Sequence, residues 1–374
     1  MRIVIAPQEF KGTLTAREAA RAMAAGVAKA ISGADIDEIP LSDGGPGLME
    51  VILTAKGGRI QSATVRDPLN RTVNAKWGLL DDGSAVIEMA AASGLWRVSE
   101  EMRDPSSATC YGVGQLMLEA MEHGCQQIVV GLGGSATNDA GAGMATALGA
   151  RFSDDAGDEL PPGGAALARL DRIDVSGLDQ RLLEVEIIAA ADVRNPLCGP
   201  DGASLVYGEQ KGASPEQAHE LDAALEHYAT IVERDLEIRV IDAPGAGAAG
   251  GLGAGLIAFA SAKIRSGFDV AADIVGLRER FEGSDLVVTG EGRLDGQTRF
   301  GKTVSGVAEL ANESSLSVVV VPGSLGRGWE KLSDTVDAIT PVVDGSVTLA
   351  DAIARPAQTL ALATERAVRG WHSR

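Results

Sequence analysis

Aromatic residues are scarce in this 374-residue sequence, where Phe, Trp and Tyr together make up only 3%. Since hydrophobic residues reach 45%, the core has to be built mainly from Ala, Val, Leu and Ile. Cysteine and histidine are also rare, with three and four copies that lie far apart and form no CxxC pair. Their scarcity argues against a disulfide framework and against a zinc or haem site.

Positive charge is in short supply as well. The 33 Lys and Arg residues face 52 Asp and Glu residues, which gives a net charge of −19. Such an acidic protein repels phosphate backbones and anionic lipids, so we expect neither nucleic acid nor a membrane as a partner. No apolar run approaches the ~20 residues of a membrane span, and the N-terminal run is too short for a signal peptide. We therefore expect a cytoplasmic protein.

Strand and helix signals alternate at both ends of the chain. Residues 2–6 and 36–40 are typical of strands, and Thr15 with Glu18 forms a capping box that predicts a helix between them. Segments 59–66, 72–80 and 84–90 are separated by turn signals and predict antiparallel strands. After residue 284 the strand–helix rhythm returns at 285–290, 317–324 and 337–343. This pattern predicts two α/β domains: a three-layer domain from residues 1–62 and 284–374, and an inserted domain, 63–283, with a mixed sheet.

Glycine is the abundant residue, with 47 copies, about one in eight against a usual ~7%. Many of the glycines cluster directly after predicted strands, where α/β folds place ligands. Glycine there lets backbone N–H groups approach an anion closely. Because these loops also carry Ser, Thr, Asp, Asn or Lys, they favour a site that handles phosphate.

Three loops match known patterns when each is taken alone. Residues 296–303 (GQTRFGKT) match the P-loop, but the preceding strand ends too early for a P-loop. Residues 245–250 (GAGAAG) match a dinucleotide-binding fingerprint, with Asp269 about twenty residues further on. Residues 131–136 (GLGGSA) are similar to a loop of small-molecule kinases. All three patterns arrange backbone amides around phosphate, so they favour a nucleotide-using enzyme without choosing its class.

Seven loops together resemble the bacterial type-I glycerate kinase family. The matching segments are APQEFKGTLTA (6–16), LSDGG (41–45), GLGGSATNDAGAG (131–143), DVRNPLCG (192–199), QKGA (210–213), PGAGAAGGLG (244–253) and TGEGRLDGQTRFGK (289–302). The resemblance implies phosphorylation of D-glycerate by ATP with Mg²⁺, usually at the 2-hydroxyl. It also implies a flavodoxin-like domain built from both chain ends around an inserted domain, with the active site in the cleft between them.

Two loops depart from the usual motif of that family. Gln8 and Glu9 replace a common Asp-Ser pair, and Pro46 and Leu48 alter the usual DGGEGT. These departures leave open a kinase of a related small hydroxy acid and an inactive binding protein of the same fold. The GAGAAG pattern leaves open a nicotinamide-dependent oxidoreductase. A homodimer is also left open.

Phosphoryl transfer needs positioned charges more than covalent chemistry. Asp192, which follows an apolar strand, is the first candidate for the base that takes the acceptor proton, with Asp43 as the second candidate. Lys11 and Arg293 are predicted catalytic cations that bind the acceptor carboxylate or the transferring phosphate. An Asx turn at Asp192 and an ion pair between Glu291 and Arg293 are the structural alternatives.

The remaining predicted residues form three groups. The residues expected to bind substrate are Asp43, Glu9, Glu291 and Asn195. The residues expected to bind phosphate or nucleotide are Gly133, Gly134, Ser135, Thr137, Asn138, Lys211 and Lys302. The residues expected to bind Mg²⁺ are Asp139 and Asp43, with bracing of the loop as an alternative role for Asp139.

Overall fold

The computed structural model describes residues 1–296 and 303–373 and divides into two compact units. Unit 1 consists of Met1–Asp43, Glu50–Ala55 and Gly267–Arg374. Unit 2 consists of Gly44–Met49 and Lys56–Ser266. Within the two described ranges, no helix is long and apolar enough to cross a membrane.

The described ranges contain strands and helices in mixed order. The strands are β1 Arg2–Ile5, β2 Asp35–Glu38, β3 Arg59–Arg66, β4 Thr72–Leu79, β5 Ala85–Glu88, β6 Gln127–Gly131, β7 Arg151–Ser153, β8 Arg172–Asp174, β9 Glu186–Ala190, β10 Lys263–Arg265, β11 Leu286–Thr289, β12 Arg293–Leu294, β13 Ser317–Val320, β14 Ser324–Leu325 and β15 Ala338–Ile339. The α-helices are α1 Ala16–Ala30, α2 Leu48–Lys56, α3 Met89–Ser93, α4 Tyr111–Glu122, α5 Ala142–Ala147, α6 Ala203–Tyr207, α7 Pro215–Leu236, α8 Ala248–Ala260, α9 Gly267–Val275, α10 Leu277–Phe281, α11 Thr303–Glu313, α12 Leu349–Ala354 and α13 Pro356–His372.

Unit 1 is organised around a five-stranded parallel sheet in the order β2-β1-β11-β13-β15. All five strands were predicted from the sequence. The central strands β1, β11 and β13 are apolar and buried, as parallel strands covered on both faces must be. Helix α1 begins at the predicted capping box of Thr15 and Glu18. Because parallel strands end at one edge of the sheet, the loops that follow β1, β11 and β13 start from the same edge.

Unit 2 contains a six-stranded mixed sheet in the order β3-β4-β5-β6-β9-β10. Strands β3, β4 and β5 pair antiparallel, as predicted, and β5, β6, β9 and β10 run parallel. The core around this sheet is rich in Ala, Val, Leu and Ile, with Trp77 and Tyr228 as its largest fully buried side chains. The chain is therefore a mixed α/β protein with one parallel and one mixed major sheet.

Candidate active site

A cavity of about 500 Å³ lies in unit 1 beyond the carboxyl ends of β1 and β11. Five of the residues singled out from the sequence line it together. They are Glu9, Lys11, Asp43, Glu291 and Arg293. Two cations and three carboxylates in one cavity suit a small ligand that carries both a carboxylate and hydroxyl groups.

The loops of this cavity are held by their backbones. Gly323 N donates to Glu291 O at 2.9 Å, and Ser324 N donates to Gly292 O at 3.1 Å. These bonds make the loops after β11 and β13 run side by side. A Cβ atom at Gly292 would lie 3.3 Å from Lys11 N, so the loop after β1 also packs closely here. Backbone hydrogen bonds and close packing thus fix the positions of the loops after β1, β11 and β13 relative to one another.

The charged residues of the cavity differ in exposure. Glu291 is buried, at 8% exposure, whereas the side chain of Arg293 is 67% exposed. Arg293 Nε lies 3.8 Å from Asp295 Oδ2, a long ion pair that leaves most guanidinium donors facing solvent. Lys11 is exposed as well. Both cations can therefore reach an anionic ligand in the cavity.

Gln8, one of the departures from the family motif, also lines this cavity and is only 4% exposed. Its backbone N donates to Gly290 O at 2.9 Å, which fixes the start of the loop. Its side-chain Oε1 is buried and has no hydrogen-bond partner among the described residues. A buried acceptor without a partner costs free energy, and a hydrogen bond from a ligand hydroxyl would remove that cost.

The glycine-rich loop at 131–143 belongs to unit 2, where it packs against the start of α8. A Cβ atom at Gly250 would lie 1.8 Å from Thr137 O, and one at Gly251 would lie 2.7 Å from Ala140 Cα. Both glycines have positive φ, at 70° and 87°. The glycines at 250 and 251 are therefore required by close backbone packing of two loops.

The polar side chains of this loop lie beneath the surface. Thr137 and Asn138 have no exposed area, Asp139 is 1% exposed, and Lys211 is 2% exposed. Lys211 Nζ donates to Thr137 O at 2.7 Å, so the lysine ties the QKGA segment to the glycine-rich loop. Burial lowers the pKa of Lys211 to about 7, while the charge of Asp139 acts in the opposite direction.

Asp139 braces the segment that follows the loop. Its Oδ2 accepts hydrogen bonds from Cys110 N at 2.8 Å and from Gly143 N at 3.3 Å. Burial raises the pKa of this carboxyl. Its Oδ1, together with Thr137 Oγ1 and Asn138 Oδ1, has no hydrogen-bond partner within residues 1–296 and 303–373. Three successive residues thus present buried oxygens that a bound ion or ligand could satisfy.

The middle of the same loop is more accessible. Gly134 is exposed, Gly133 is half-buried and Ser135 is 8% exposed. Gly134 has a φ of 77°, and its carbonyl accepts from Leu95 N at 2.9 Å. The altered DGGPGL segment packs here, because a Cβ atom at Gly133 would lie 2.5 Å from Gly45 Cα.

Glu88 was not identified from the sequence. Its Oε1 accepts from Gly47 N at 2.8 Å and from Met49 N at 2.9 Å, so it caps the start of α2 and fixes the DGGPGL segment. Leu48, the second altered residue of that segment, is fully buried. The only signal for Glu88 was a carboxylate at the end of a buried strand.

The loop after β9 contains Asp192 and Asn195 and also belongs to unit 2. Asn195 Nδ2 donates to Asp201 O at 2.7 Å, and its Oδ1 accepts from Tyr207 Oη at 2.9 Å. Asn195 therefore braces this loop with both ends of its amide. Burial raises the pKa of Tyr207, and the nearby negative charge of Asp192 adds to that shift. Asp192 is half-buried at the carboxyl end of its strand.

Two sequence interpretations depend on local context. The dinucleotide-binding interpretation of GAGAAG needs a strand directly before it, and residues 237–247 contain none. In the P-loop match, residues 297–302, including Lys302, lie outside the described residues. The nicotinamide interpretation thus lacks the strand–loop–helix geometry that it requires.

The acidic residues determine how a metal ion could be held. No group of three or more His, Cys, Asp or Glu that could hold a metal ion occurs in the part of the chain that the structure describes. Mg²⁺ is commonly held by one or two carboxylates together with substrate phosphates. The buried Oδ1 of Asp139 and the cavity-lining Asp43 fit that simpler requirement.

The cavity of unit 1 and the glycine-rich loop of unit 2 both follow the carboxyl ends of parallel strands. This is where α/β proteins bind their ligands. A model described as the glycerate kinase family matches residues 3–372, and the chain belongs to that family. It is 45% identical over 353 residues to a glycerate kinase of Halalkalibacterium halodurans, covering 94% of this chain and 93% of the relative. It is 47% identical over 326 residues to the glycerate 2-kinase of Escherichia coli K12, covering 87% and 86%.

The fold is shared with a solved structure. A crystal structure named as glycerate kinase 2, from Salmonella typhimurium LT2, matches with a TM-score of 0.85 and 43% identity. The match covers 100% of this chain and 98% of that chain. The family implies ATP as the phosphate donor.

Proposed function

We propose that this protein transfers the γ-phosphoryl group of ATP to D-glycerate and that the product is 2-phosphoglycerate. The observation that carries the proposal is the unit-1 cavity, in which Lys11 and Arg293 lie with Glu9, Asp43 and Glu291. Membership of the glycerate kinase family supports it. The name of the E. coli relative, glycerate 2-kinase, supports the 2-hydroxyl as the acceptor.

The acceptor is assigned to unit 1. Lys11 and Arg293 bind the carboxylate of glycerate, and Arg293 can do so with two parallel N–H donors. Gln8 Oε1 and the carboxylates accept hydrogen bonds from the two hydroxyl groups. An acid that lacks one hydroxyl leaves a buried acceptor unsatisfied, which gives the cavity a physical basis for selecting a dihydroxy acid.

The donor is assigned to unit 2. The backbone amide of Gly134 and the hydroxyl of Ser135 are the proposed contacts to phosphate oxygens, and the exposure of Gly134 supports this choice. Gly133, also predicted to bind phosphate, has its N–H directed to Gly44 O at 3.4 Å and would have to exchange that bond for one to phosphate. Thr137, Asn138 and Lys211 support this loop from beneath. Lys302 belongs to the sequence range of unit 1 and lies outside the described residues, so its binding of phosphate stays a prediction from the sequence. Asp139 in unit 2 and Asp43 in unit 1 are each proposed as an Mg²⁺ ligand, and the ion would supply neutralisation of the phosphate charge.

Asp192 is the proposed base that accepts the proton of the 2-hydroxyl. Asp43 is its competitor because it shares a cavity with Lys11 and Arg293. The parallel order β2-β1-β11-β13-β15, which is 2-1-3-4-5 along unit 1, supports a flavodoxin-like assignment. A cytoplasmic location belongs to the proposal because the reaction consumes ATP.

The test follows ADP formation from ATP, Mg²⁺ and a panel of short hydroxy acids. D-glycerate should give the highest kcat/KM, and L-glycerate, lactate and glycolate should give much lower values. Phosphorus NMR without proton decoupling then identifies the position. A phosphate on the 2-oxygen is split into a doublet by one proton, and one on the 3-oxygen into a triplet by two. Absence of glycerate-dependent ADP formation would reject the proposal.

The cavity also leaves room for a related acceptor. Gln8 and Glu9 stand where the family commonly has Asp and Ser, and Gln8 brings a buried oxygen without a protein partner into the cavity. A different dihydroxy acid could use that oxygen equally well. The same panel separates the two cases, since a higher kcat/KM for another acid would replace glycerate in the proposal.

A further inference from the structure

Arg103 has an unusual combination of burial and unused donors. Its Nε is buried and has no hydrogen-bond partner among the described residues. Among the described residues, Arg103 forms one ion pair, in which Nη1 lies 3.7 Å from Glu100 Oε1. The side chain of Arg103 is 25% exposed, and that of Glu100 is 83% exposed. A guanidinium has five N–H donors, so this arginine is poorly satisfied by the protein.

The exposed carboxylates beside Arg103 do not account for its position. The pKa of Glu101 is lowered mainly by its own backbone amide and by Ser99, and only weakly by the charge of Arg103. The pair with Glu100 is longer than a charge-assisted hydrogen bond of ≈ 2.7–2.9 Å. Exposed pairs of this kind contribute little to stability. Burial of Nε therefore needs another explanation.

The backbone of Arg103 lies against the QKGA segment. A Cβ atom at Gly212 would lie 2.5 Å from Arg103 O and 2.8 Å from Arg103 Cβ. Gly212 has a φ of 101°, which a residue with a side chain rarely adopts. This close packing places Arg103 next to Lys211, whose ammonium is already bound to Thr137 O.

The residues after Arg103 continue toward the glycine-rich loop. Ser106 O accepts from Ala165 N at 3.0 Å. A Cβ atom at the neighbouring Gly164 would lie 2.2 Å from Asn138 O. Gly164 and Ala165 thus connect the segment that begins at Arg103 to the glycine-rich loop. That loop carries the buried side-chain oxygens of Thr137 and Asn138, which have no hydrogen-bond partner among the described residues.

We propose that Arg103 binds a phosphate group of the nucleotide and that it is the anion-contacting cation of the unit-2 site. Lys211 then acts as a positioning residue, because its buried ammonium is committed to Thr137 O. The proposal rests on the assignment of nucleotide to unit 2 in the proposed function. The exposed quarter of the Arg103 side chain offers Nη donors to an oxyanion, in the planar geometry that suits a guanidinium, while the buried Nε holds the group in place.

The test compares Arg103→Met with the double variant Glu100→Gln/Glu101→Gln. Binding of ADP is measured by calorimetry at two salt concentrations, and KM is measured separately for ATP and glycerate. We expect Arg103→Met to raise the Kd for ADP and the KM for ATP about tenfold or more, with the KM for glycerate within twofold. The double variant, which removes only the neighbouring carboxylates, should bind ADP as tightly as the parent or more tightly.

Several outcomes would overturn the assignment of Arg103. Unchanged ADP binding in Arg103→Met would do so, as would a selective rise in the KM for glycerate. Equal losses in the double variant would make Arg103 part of a structural ion pair. If Arg103→Met fails to fold, Arg103→Lys is compared instead, and it should keep the charge but lose affinity for ADP. ADP binding that depends on Arg103 without glycerate-dependent turnover would reject the proposed function and keep this inference.

Discussion

Lys211 Nζ donates a hydrogen bond to the backbone oxygen of Thr137 at 2.7 Å, and both residues are buried within unit 2. This bond joins the QKGA segment to the glycine-rich loop and involves a cation whose pKa burial has lowered to about 7. The stability of this loop should consequently depend on pH and on the identity of residue 211.

Replacement of Lys211 by Met should change how stability varies with pH. Below pH 7 the folded protein must carry a buried ammonium, so desolvation of Lys211 then lowers the free energy of unfolding of the parent most. Between pH 7 and about 10.4, the usual lysine pKa, the unfolded chain binds more protons than the folded chain, so this contribution to stability rises with pH. In that window the free energy of unfolding of the parent should therefore rise, relative to that of Lys211→Met, by up to about 1.4 kcal/mol per pH unit.

Urea denaturation of both proteins at pH 6 to 9.5 measures this difference. Lys263→Met is the matched control, because Lys263 is 70% exposed and pairs with Glu186 on the surface of the same unit. The control should follow the parent across the whole range. A difference between parent and Lys211→Met that stays constant with pH would show that residue 211 does not titrate there.

Replacement of Gly250 by Ala should destabilise unit 2 strongly. The new methyl group would lie 1.8 Å from Thr137 O, and the φ of 70° is itself unfavourable for alanine by about 1–2 kcal/mol. Since backbone atoms must move to remove the overlap, we expect a total loss of about 3 kcal/mol or more. Chemical denaturation measures the loss.

Gly157→Ala separates the two causes. Gly157 also lies in unit 2 and has a φ of 85°, but a Cβ atom there meets nothing within 4 Å. Gly157→Ala should therefore lose only the stability that the unfavourable φ costs an alanine, about 1–2 kcal/mol. Equal losses at positions 157 and 250 would show that the contact with Thr137 has no cost of its own.

The two candidate bases can be compared directly. Asp192→Asn and Asp43→Asn each keep the size of the side chain and remove its ability to accept a proton. The variant that lacks the base should lose about 10²- to 10⁴-fold in kcat, with its melting temperature close to that of the parent. The other variant should show mainly a higher KM for glycerate or for Mg²⁺. A near-normal kcat in Asp192→Asn would exclude Asp192 as the base.

The cations of the unit-1 cavity should act on the acceptor. Lys11→Met and Arg293→Ala would each remove a proposed charge-assisted hydrogen bond to glycerate, worth about 1.5–3 kcal/mol, so kcat/KM for glycerate should fall about 10- to 100-fold. Steady-state kinetics with both substrates varied measures the effect. Lys331→Met, on an exposed residue of the same unit, should leave kcat/KM unchanged.

Asp295→Asn tests whether Arg293 has a structural role. It removes the carboxylate that lies 3.8 Å from Arg293 Nε. If Arg293 acts through that pair alone, Asp295→Asn should reproduce the loss seen in Arg293→Ala. A normal kcat/KM in Asp295→Asn, alongside a loss in Arg293→Ala, supports contact with glycerate.

Much of the fold could be predicted because local patterns determine it. The alternation of β3, β4 and β5 with turn signals indicated antiparallel pairing, and the capping box at Thr15 marked the start of α1. Lys11 and Arg293 were each predicted from the loops that carry them, and the structure brings them to one cavity because those loops follow the paired strands β1 and β11. Periodicity and strand ends are local signals, and parallel pairing converts them into neighbours in space.

The burial of Lys211 could not be predicted in the same way. Its segment, QKGA, looks like an exposed polar turn, and only contact with a loop 74 residues away encloses the ammonium. Glu88 and Arg103 were missed for a similar reason, because a carboxylate at a strand end and an arginine in a polar segment are common in sequences. Their positions depend on Gly47 and Gly212, which the fold brings beside them.

The sequence by itself determined the α/β class, the order of the glycine-rich loops and the family resemblance. Each of these depends on residue type and on spacing along the chain. Only the tertiary structure decided which glycines serve close packing, as Gly250 does against Thr137, and which polar groups are buried without a protein partner. Burial and backbone approach arise from contacts between distant segments, and such contacts leave no periodic signal in a single sequence.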